Sequence, residues 1–384
     1  MSFRSGRHFL QIPGPTNVPD RVLRAIDNPT IDHRGPDFAA LGLEVLEGLR
    51  HVFRTDGPVV VYPSSGTGAW EAALVNTLSP GDRVLAFETG HFATLWRAMA
   101  ERLGLEVVWV PGDWRHGADP EAAEEILREE PRIAAVMVVH NETSTGVTSR
   151  VPEIRAAIDA AGHDALLLVD TISSLGSIDY RHAEWGVDVT VGGSQKGLML
   201  PAGLGFNAVS EKARAARGSM PRSYWDWEPI IDANEQGFWP YTSATNLLYG
   251  LREALAMLRE EGLENVFARH ARHAAATRAA VSAWGLEVLA LDEREYSGSL
   301  TAVLCDEADE VRRVILERFD MSLGAGLGQL AGRVFRIGHL GHFNDLMLAG
   351  TLCGVEMGLR VAGVEIEPGV GAALELLEAA SVPA

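Results

Sequence analysis

The chain has 384 residues, a length that favours two packed domains over one ordinary core. Its 47% hydrophobic and 22% charged residues belong to a folded globular protein and set aside disordered, collagenous and solenoid architectures. A formal net charge of −19 argues against nucleic acid or an anionic membrane surface as partner, because both repel an acidic protein at long range.

The opening MSFRSGRHFLQIPGPTN lacks the apolar core of a secretory signal, and no segment reaches the roughly 18 uninterrupted apolar residues of a membrane span. The terminal SVPA is not a peroxisomal address. Two cysteines, Cys305 and Cys353, read as reduced thiols rather than a disulfide framework, so the expected location is cytoplasmic.

Residues 1–20 read as an extended arm, because Pro13, Pro15 and Pro19 prevent a continuous helix. Apolar β-type runs follow at Pro58–Tyr62, Arg83–Phe87, Glu106–Val110, Ala134–His140, Ala165–Asp170 and Asp188–Gly192, with amphipathic stretches between most of them. That alternation predicts an α/β fold with a mainly parallel sheet, helices on both faces and a ligand crevice beyond the carboxyl ends of the strands. After Tyr241 the pattern changes to long helical periods at Ala244–Glu261 and Glu264–Trp284, then strand-like Ser299–Cys305 and Arg333–Gly338. The expected division is an arm at 1–20, a large domain at 21–260 and a smaller C-terminal α+β domain at 261–384, closely packed for want of a Gly/Ser or Pro linker.

Three short segments carry chemistry. VVVYPSSGTGAWEAALVNTL passes from a strand through Ser65, Gly66 and Thr67 into a helix, where free amides, the helix dipole and hydroxyls suit an anion. Read alone, it is equally a capped strand-to-helix turn. Asp170 ends the run ALLLVD, which aims a carboxylate into the crevice, although an Asp capping the turn TISS has the same appearance. Lys196 follows Gln195 in a loop between Gly193 and Gly197 ahead of the apolar LMLPAG, unlike an ordinary solvated lysine. A desolvated lysine has a lowered pKa and attacks an aldehyde to form a Schiff base. Phosphate anchor, carboxylate and amine together form the set that pyridoxal 5'-phosphate requires. The twelve histidines show no HExxH or other metal-ligand pattern, and no metal is expected.

PGPTNVP at 13–19, SSGTGAWEAALVNTLSPGD at 64–82, HNETSTGV at 140–147, VDTISSLGS at 169–177 and GSQKGLMLPAGL at 193–204 together resemble class V, fold-type I pyridoxal-phosphate aminotransferases. Within them the chain is most similar to the serine, aspartate and alanine:glyoxylate enzymes. The resemblance implies that Lys196 carries the cofactor and shuttles the substrate proton, and that Asp170 pairs with the pyridine nitrogen. It also implies that Ser65, Gly66, Thr67 and Gln195 bind phosphate, Thr143 contacts the ring hydroxyl, and Phe92 and Ile172 cover the ring faces. Phe92 stands where relatives nearer the alanine enzyme have Trp, keeping the π face and losing the indole N–H. Thr242 and an aromatic, Tyr241 or Trp239, would reach the phosphate of a neighbouring subunit, which implies a homodimer. Arg336 would bind the substrate α-carboxylate; otherwise it is an edge-strand salt bridge.

The implied reaction passes an amino group to glyoxylate, with serine favoured as donor over aspartate and alanine. A lyase of the same fold is the alternative, weakened because neither cysteine lies in a loop near the motifs and no extra cations gather for a phosphonate. A binding protein that lost its chemistry would be a third possibility; retention of Lys196, Asp170 and Arg336 opposes it.

Overall fold

The computed structural model describes residues 6–380, so the terminal SVPA lies outside the described residues. Strands β1 (Phe9–Gln11), β2 (Val59–Ser64), β3 (Arg83–Phe87), β4 (Glu106–Val110) and β5 (Ile133–Val139) lead to a short hairpin of β6 (Asn141–Glu142) and β7 (Val147–Thr148). They are followed by β8 (Leu166–Asp170), β9 (Val189–Gly193), β10 (Gly203–Val209), β11 (Glu287–Val288), β12 (Leu300–Leu304), β13 (Met321–Ala325) and β14 (Val334–Gly338). A seven-stranded sheet runs β2-β10-β9-β8-β5-β3-β4, and a five-stranded sheet runs β1-β13-β14-β12-β11.

The first sheet is built from strands buried on both faces, which is why LLLV of β8 and AVMVV of β5 read as unbroken apolar runs. Its helices are α1 (Asp20–Ile26), α2 (Pro36–Phe53), α3 (Gly66–Thr77), α4 (His91–Arg102), α5 (Pro120–Glu129), α6 (Val151–Ala160), α7 (Glu211–Ala216), α8 (Trp227–Asn234) and α9 (Thr245–Glu261). Sequence sets their starts: Asp119 accepts from the amides of Glu121 and Ala122 ahead of Pro120, and Ser210 accepts from Ala213. Against the second sheet pack α10 (Leu263–Ala283), which also meets α9, and α11 (Ala308–Phe319); α12 (Asp345–Val361) and α13 (Val370–Ala380) pack on these helices. Tyr62, Trp96 and Phe206 lie in the core around the first sheet, and Trp284, Phe335 and Val355 in the core around the second. Each such side chain contributes about 1.5–3 kcal/mol through burial.

Pairing in the first sheet is mainly parallel, as expected, with one exception: β10 enters antiparallel between β2 and β9. Its run GLGFNAV was not singled out because glycine and asparagine interrupt the apolar pattern, yet Asn207 is buried and donates to the carbonyl of Ala69. In the arm, Phe9–Gln11 is a strand that pairs parallel with β13, and helix α1 opens at Asp20. A three-residue strand gains its partner only in tertiary structure, which no local pattern announces. No described helix is long and apolar enough to cross a membrane.

Candidate active site

Because β2, β5, β8 and β9 run in one direction, their carboxyl ends open on one crevice. Asp170 closes β8 in register with Val139 and Val191, and is 4% exposed. One carboxylate oxygen accepts from the Ile172 amide at 2.6 Å, which orients the group from its own turn. Burial pushes its pKa up to about 7, against the pull of that amide. In water-poor surroundings it needs a positive neighbour to remain ionised at neutral pH.

Lys196, three residues beyond β9, is 8% exposed, and burial together with the nearby Arg336 charge lowers its pKa to about 7. An amine so poised is largely neutral just above that pH, and hence nucleophilic. The N-terminal arm covers it. Nζ donates to the Pro13 carbonyl, the Thr16 hydroxyl donates to the Lys196 carbonyl at 3.0 Å, and the Thr16 amide donates to that of Gln195 at 3.1 Å. Gly14 has φ +97°, and a Cβ there would stand 2.2 Å from Lys196 Cδ and 2.7 Å from Nζ. Only glycine fits.

The anion cradle is the start of α3. Ser65 is its N-cap in extended conformation and spends no side-chain hydrogen bond on the helix, leaving its hydroxyl for the crevice. The amides of Gly66 and Thr67 belong to the first turn, which has no intrahelical acceptors. A Cβ on Gly66 would lie 2.2 Å from Ile172 Cδ1, so the missing side chain lets Ile172 lie against the cradle.

A cavity of about 240 Å³ gathers Ser65, Gly66, Thr67, Phe92, Thr143, Asp170, Ile172, Gln195 and Lys196. The structure thus brings nine of the twelve expected residues to one wall. It adds Gly14, Pro15, Trp70, Asn141 and Ser173, which the sequence reading missed. Asn141 could have been found by the signal that marked Asp170, a polar residue at the carboxyl end of an apolar strand. Arg336 stands behind this wall, 6% exposed; its Nη1 donates to the Thr143 carbonyl at 2.6 Å and its Nε to the Ala325 carbonyl at 2.7 Å. Burial lowers its pKa to about 10, while the field of Glu142 opposes the shift. It forms no salt bridge among the described residues, which removes the edge-strand pairing considered above.

Tyr241 and Thr242 lie away from this cavity within the same chain. Thr242 lines a separate cleft beside the start of α9, while Tyr241 stacks on Tyr224 at 4.7 Å and donates to the Val61 carbonyl at 3.3 Å. Trp239 is 8% exposed and its indole donates to that same carbonyl at 3.0 Å. Cys305 is buried just beyond β12 and Cys353 is exposed on α12; neither lines the cavity. A larger cleft, of about 570 Å³, lies under the arm, but its arginines are spent on Asp20, Glu253 and Glu260. It carries no comparable chemistry.

The cavity suits pyridoxal phosphate in its donor set. Gln195 Oε1 is buried without a hydrogen-bond partner, a cost folding accepts where a ligand or water completes the bond. Flat apolar groups, Phe92 and Ile172, border a space with an anion cradle at one end and Asp170 in its wall.

Comparison with known proteins agrees. The aminotransferase class-V family matches residues 8–314. The serine–glyoxylate aminotransferase of Methylorubrum extorquens is 51% identical over 96% of this chain and 95% of its own. The L-aspartate–glyoxylate aminotransferase of Paracoccus denitrificans is 45% identical over 94% and 93%. The crystal structure of pyridoxamine–pyruvate aminotransferase from Mesorhizobium loti superposes with a TM-score of 0.92 at 28% identity, covering 98% of both chains. The chain belongs to the class-V aminotransferases and is a fold-type I, pyridoxal-phosphate-dependent enzyme of that family.

Proposed function

We propose that the enzyme transfers the amino group of a small amino acid, L-serine first among the candidates, to glyoxylate, forming hydroxypyruvate and glycine. The carrying observation is that a buried lysine, a strand-end carboxylate and a helix N-terminus meet in one cavity, backed by a buried arginine. Serine is favoured by the Methylorubrum relative, and aspartate is the second reading on the strength of the Paracoccus one.

When bound, the cofactor supplies an electron sink for the pair released as the substrate Cα–H bond breaks. Lys196 Nζ takes that proton and returns it, a role matched to an amine that titrates near neutrality. Asp170 would face the ring nitrogen and hold positive charge there. Ser65, Gly66, Thr67 and Gln195 would hold the phosphate, Phe92 and Ile172 would cover the ring, and Thr143 would take the ring hydroxyl. Arg336 binds the α-carboxylate, and the arm at Pro13–Pro15 keeps water from Lys196.

Tyr241 and Thr242 complete the phosphate site of a second copy in a homodimer, in keeping with neither of them lining their own chain's cavity. Division of the chain at 260/261 belongs to the same proposal, supported by the break between α9 and α10 at Gly262 and by the separate cores. The proposed location is cytoplasmic. The test follows the visible absorbance of the purified enzyme while serine, aspartate or alanine is added, then glyoxylate. Loss of the band with serine and recovery with glyoxylate supports the proposal; no response to any donor refutes it.

A further inference from the structure

Glu142 ends the two-residue strand that follows β5 and is 0% exposed, yet it makes no salt bridge among the described residues. Its carboxylate is fully used instead. Oε1 accepts from the Ser144 amide at 3.0 Å and the Ser144 hydroxyl at 2.7 Å, and Oε2 accepts from the Ala93 amide at 3.0 Å. Ser144 Oγ in turn accepts from the His91 amide at 2.9 Å. Two of the first amides of α4, on either side of Phe92, are therefore capped from a different loop, the one that presents Thr143. Ordinary capping is local; a carboxylate brought in from 49 residues along the chain ties two site-bearing elements together.

The same carboxylate is the acidic group whose field reaches Arg336, Lys196 and Asp170. Arg336 is otherwise held only by the neutral carbonyls of Thr143 and Ala325.

We propose that Glu142 is a positioning residue for the reaction: its carboxylate ties the Thr143 turn to the start of α4, which holds Phe92 against the cofactor space and fixes the Thr143 carbonyl to which Arg336 donates. The inference rests on the reading of the site given above, and extends it to a residue that touches neither substrate nor cofactor.

Two substitutions separate its parts. E142Q keeps the length but removes the charge and sets an amide N–H against a donor; E142D keeps the charge but is one methylene too short to span Ser144 and Ala93. Holoenzymes are compared by thermal unfolding, by cofactor dissociation constant from absorbance titration, and by KM and kcat for serine at saturating glyoxylate. E142Q should raise the serine KM about fivefold or more with a smaller change in kcat, as for one hydrogen bond lost from the turn that fixes the Thr143 carbonyl. E142D should weaken cofactor binding about fivefold, as for one lost hydrogen bond, with KM nearer the parent value. Should either variant fail to fold, S144A removes the hydroxyl that links Glu142 to the His91 amide, and should weaken cofactor binding about fivefold. Folded variants with parent KM and cofactor affinity would overturn the proposal and leave Glu142 a structural residue. Failure of the underlying reading looks different: the unsubstituted enzyme would show no cofactor band or no response to amino donors, and this proposal would fall with it.

Discussion

Replacing Arg336 by lysine keeps the positive charge and removes the fork. A guanidinium has five N–H donors; in this structure Nε spends one on Ala325 and Nη1 spends one on Thr143, which leaves three for a carboxylate. Lysine offers a point charge that cannot hold both carbonyls and grip two carboxylate oxygens. Loss of one charge-assisted hydrogen bond costs about 1.5–3 kcal/mol, or roughly a 10- to 150-fold fall in kcat/KM for the amino donor. The assay is steady-state transamination with serine varied and glyoxylate saturating, alongside a primary amine that lacks the carboxylate. The serine rate should fall while the slow turnover of the plain amine stays unchanged. A kcat/KM for serine within about threefold of the parent would refute the carboxylate role, since no bidentate contact is worth so little.

Gly14→Ala should fold with a loss of about 1–2 kcal/mol, the cost of a left-handed alanine, and should capture added pyridoxal phosphate at least about tenfold more slowly because its Cβ displaces Lys196. An unchanged capture rate would show that the arm does not position the lysine. Acid should destabilise the cofactor-free protein well above the carboxylate range. Burial pushes His270 down to about 3, and His140 and His182 to about 4, so the unfolded chain takes up protons below pH 6.5 that the native state refuses. Their stabilisation is fully present above that pH and is lost as pH falls toward the folded values, about 2 kcal/mol each by pH 5. Asp170, whose pKa is raised to about 7, acts oppositely between pH 7 and 5 and offsets about 2 kcal/mol. Thermal unfolding across pH 7 to 5 should still show a falling Tm, and a flat curve would contradict the buried neutral histidines.

Much of the site was legible because it lies at strand ends. Asp170, Lys196 and the start of α3 each follow an apolar run, and periodicity alone located those runs to within a residue or two. Helices α9 and α10 were legible for the same reason. Parts built by distant contact were not: Pro13 meets Lys196 across 183 residues, and Arg336 meets Thr143 across 193. Arg336 shows in sequence only as a charge on a strand, and its role was suggested by resemblance rather than by pattern. Glu142 had a visible signal, a carboxylate just after a strand like Asp170, but nothing local distinguishes a strut from a turn-forming acid.

The arm has a consequence for biosynthesis. Among the described residues Phe9–Gln11 pairs only with Met321–Leu323, so this strand leaves the ribosome about 300 residues ahead of its partner. At a translation rate of 5–20 residues per second that wait is roughly 15–60 s. During it the sheet that bears Lys196 can form, while Pro13 and Thr16 have no seated strand to hold them over it. Order of synthesis thus separates making the reactive amine from enclosing it, and a chain truncated before residue 321 would carry the first without the second.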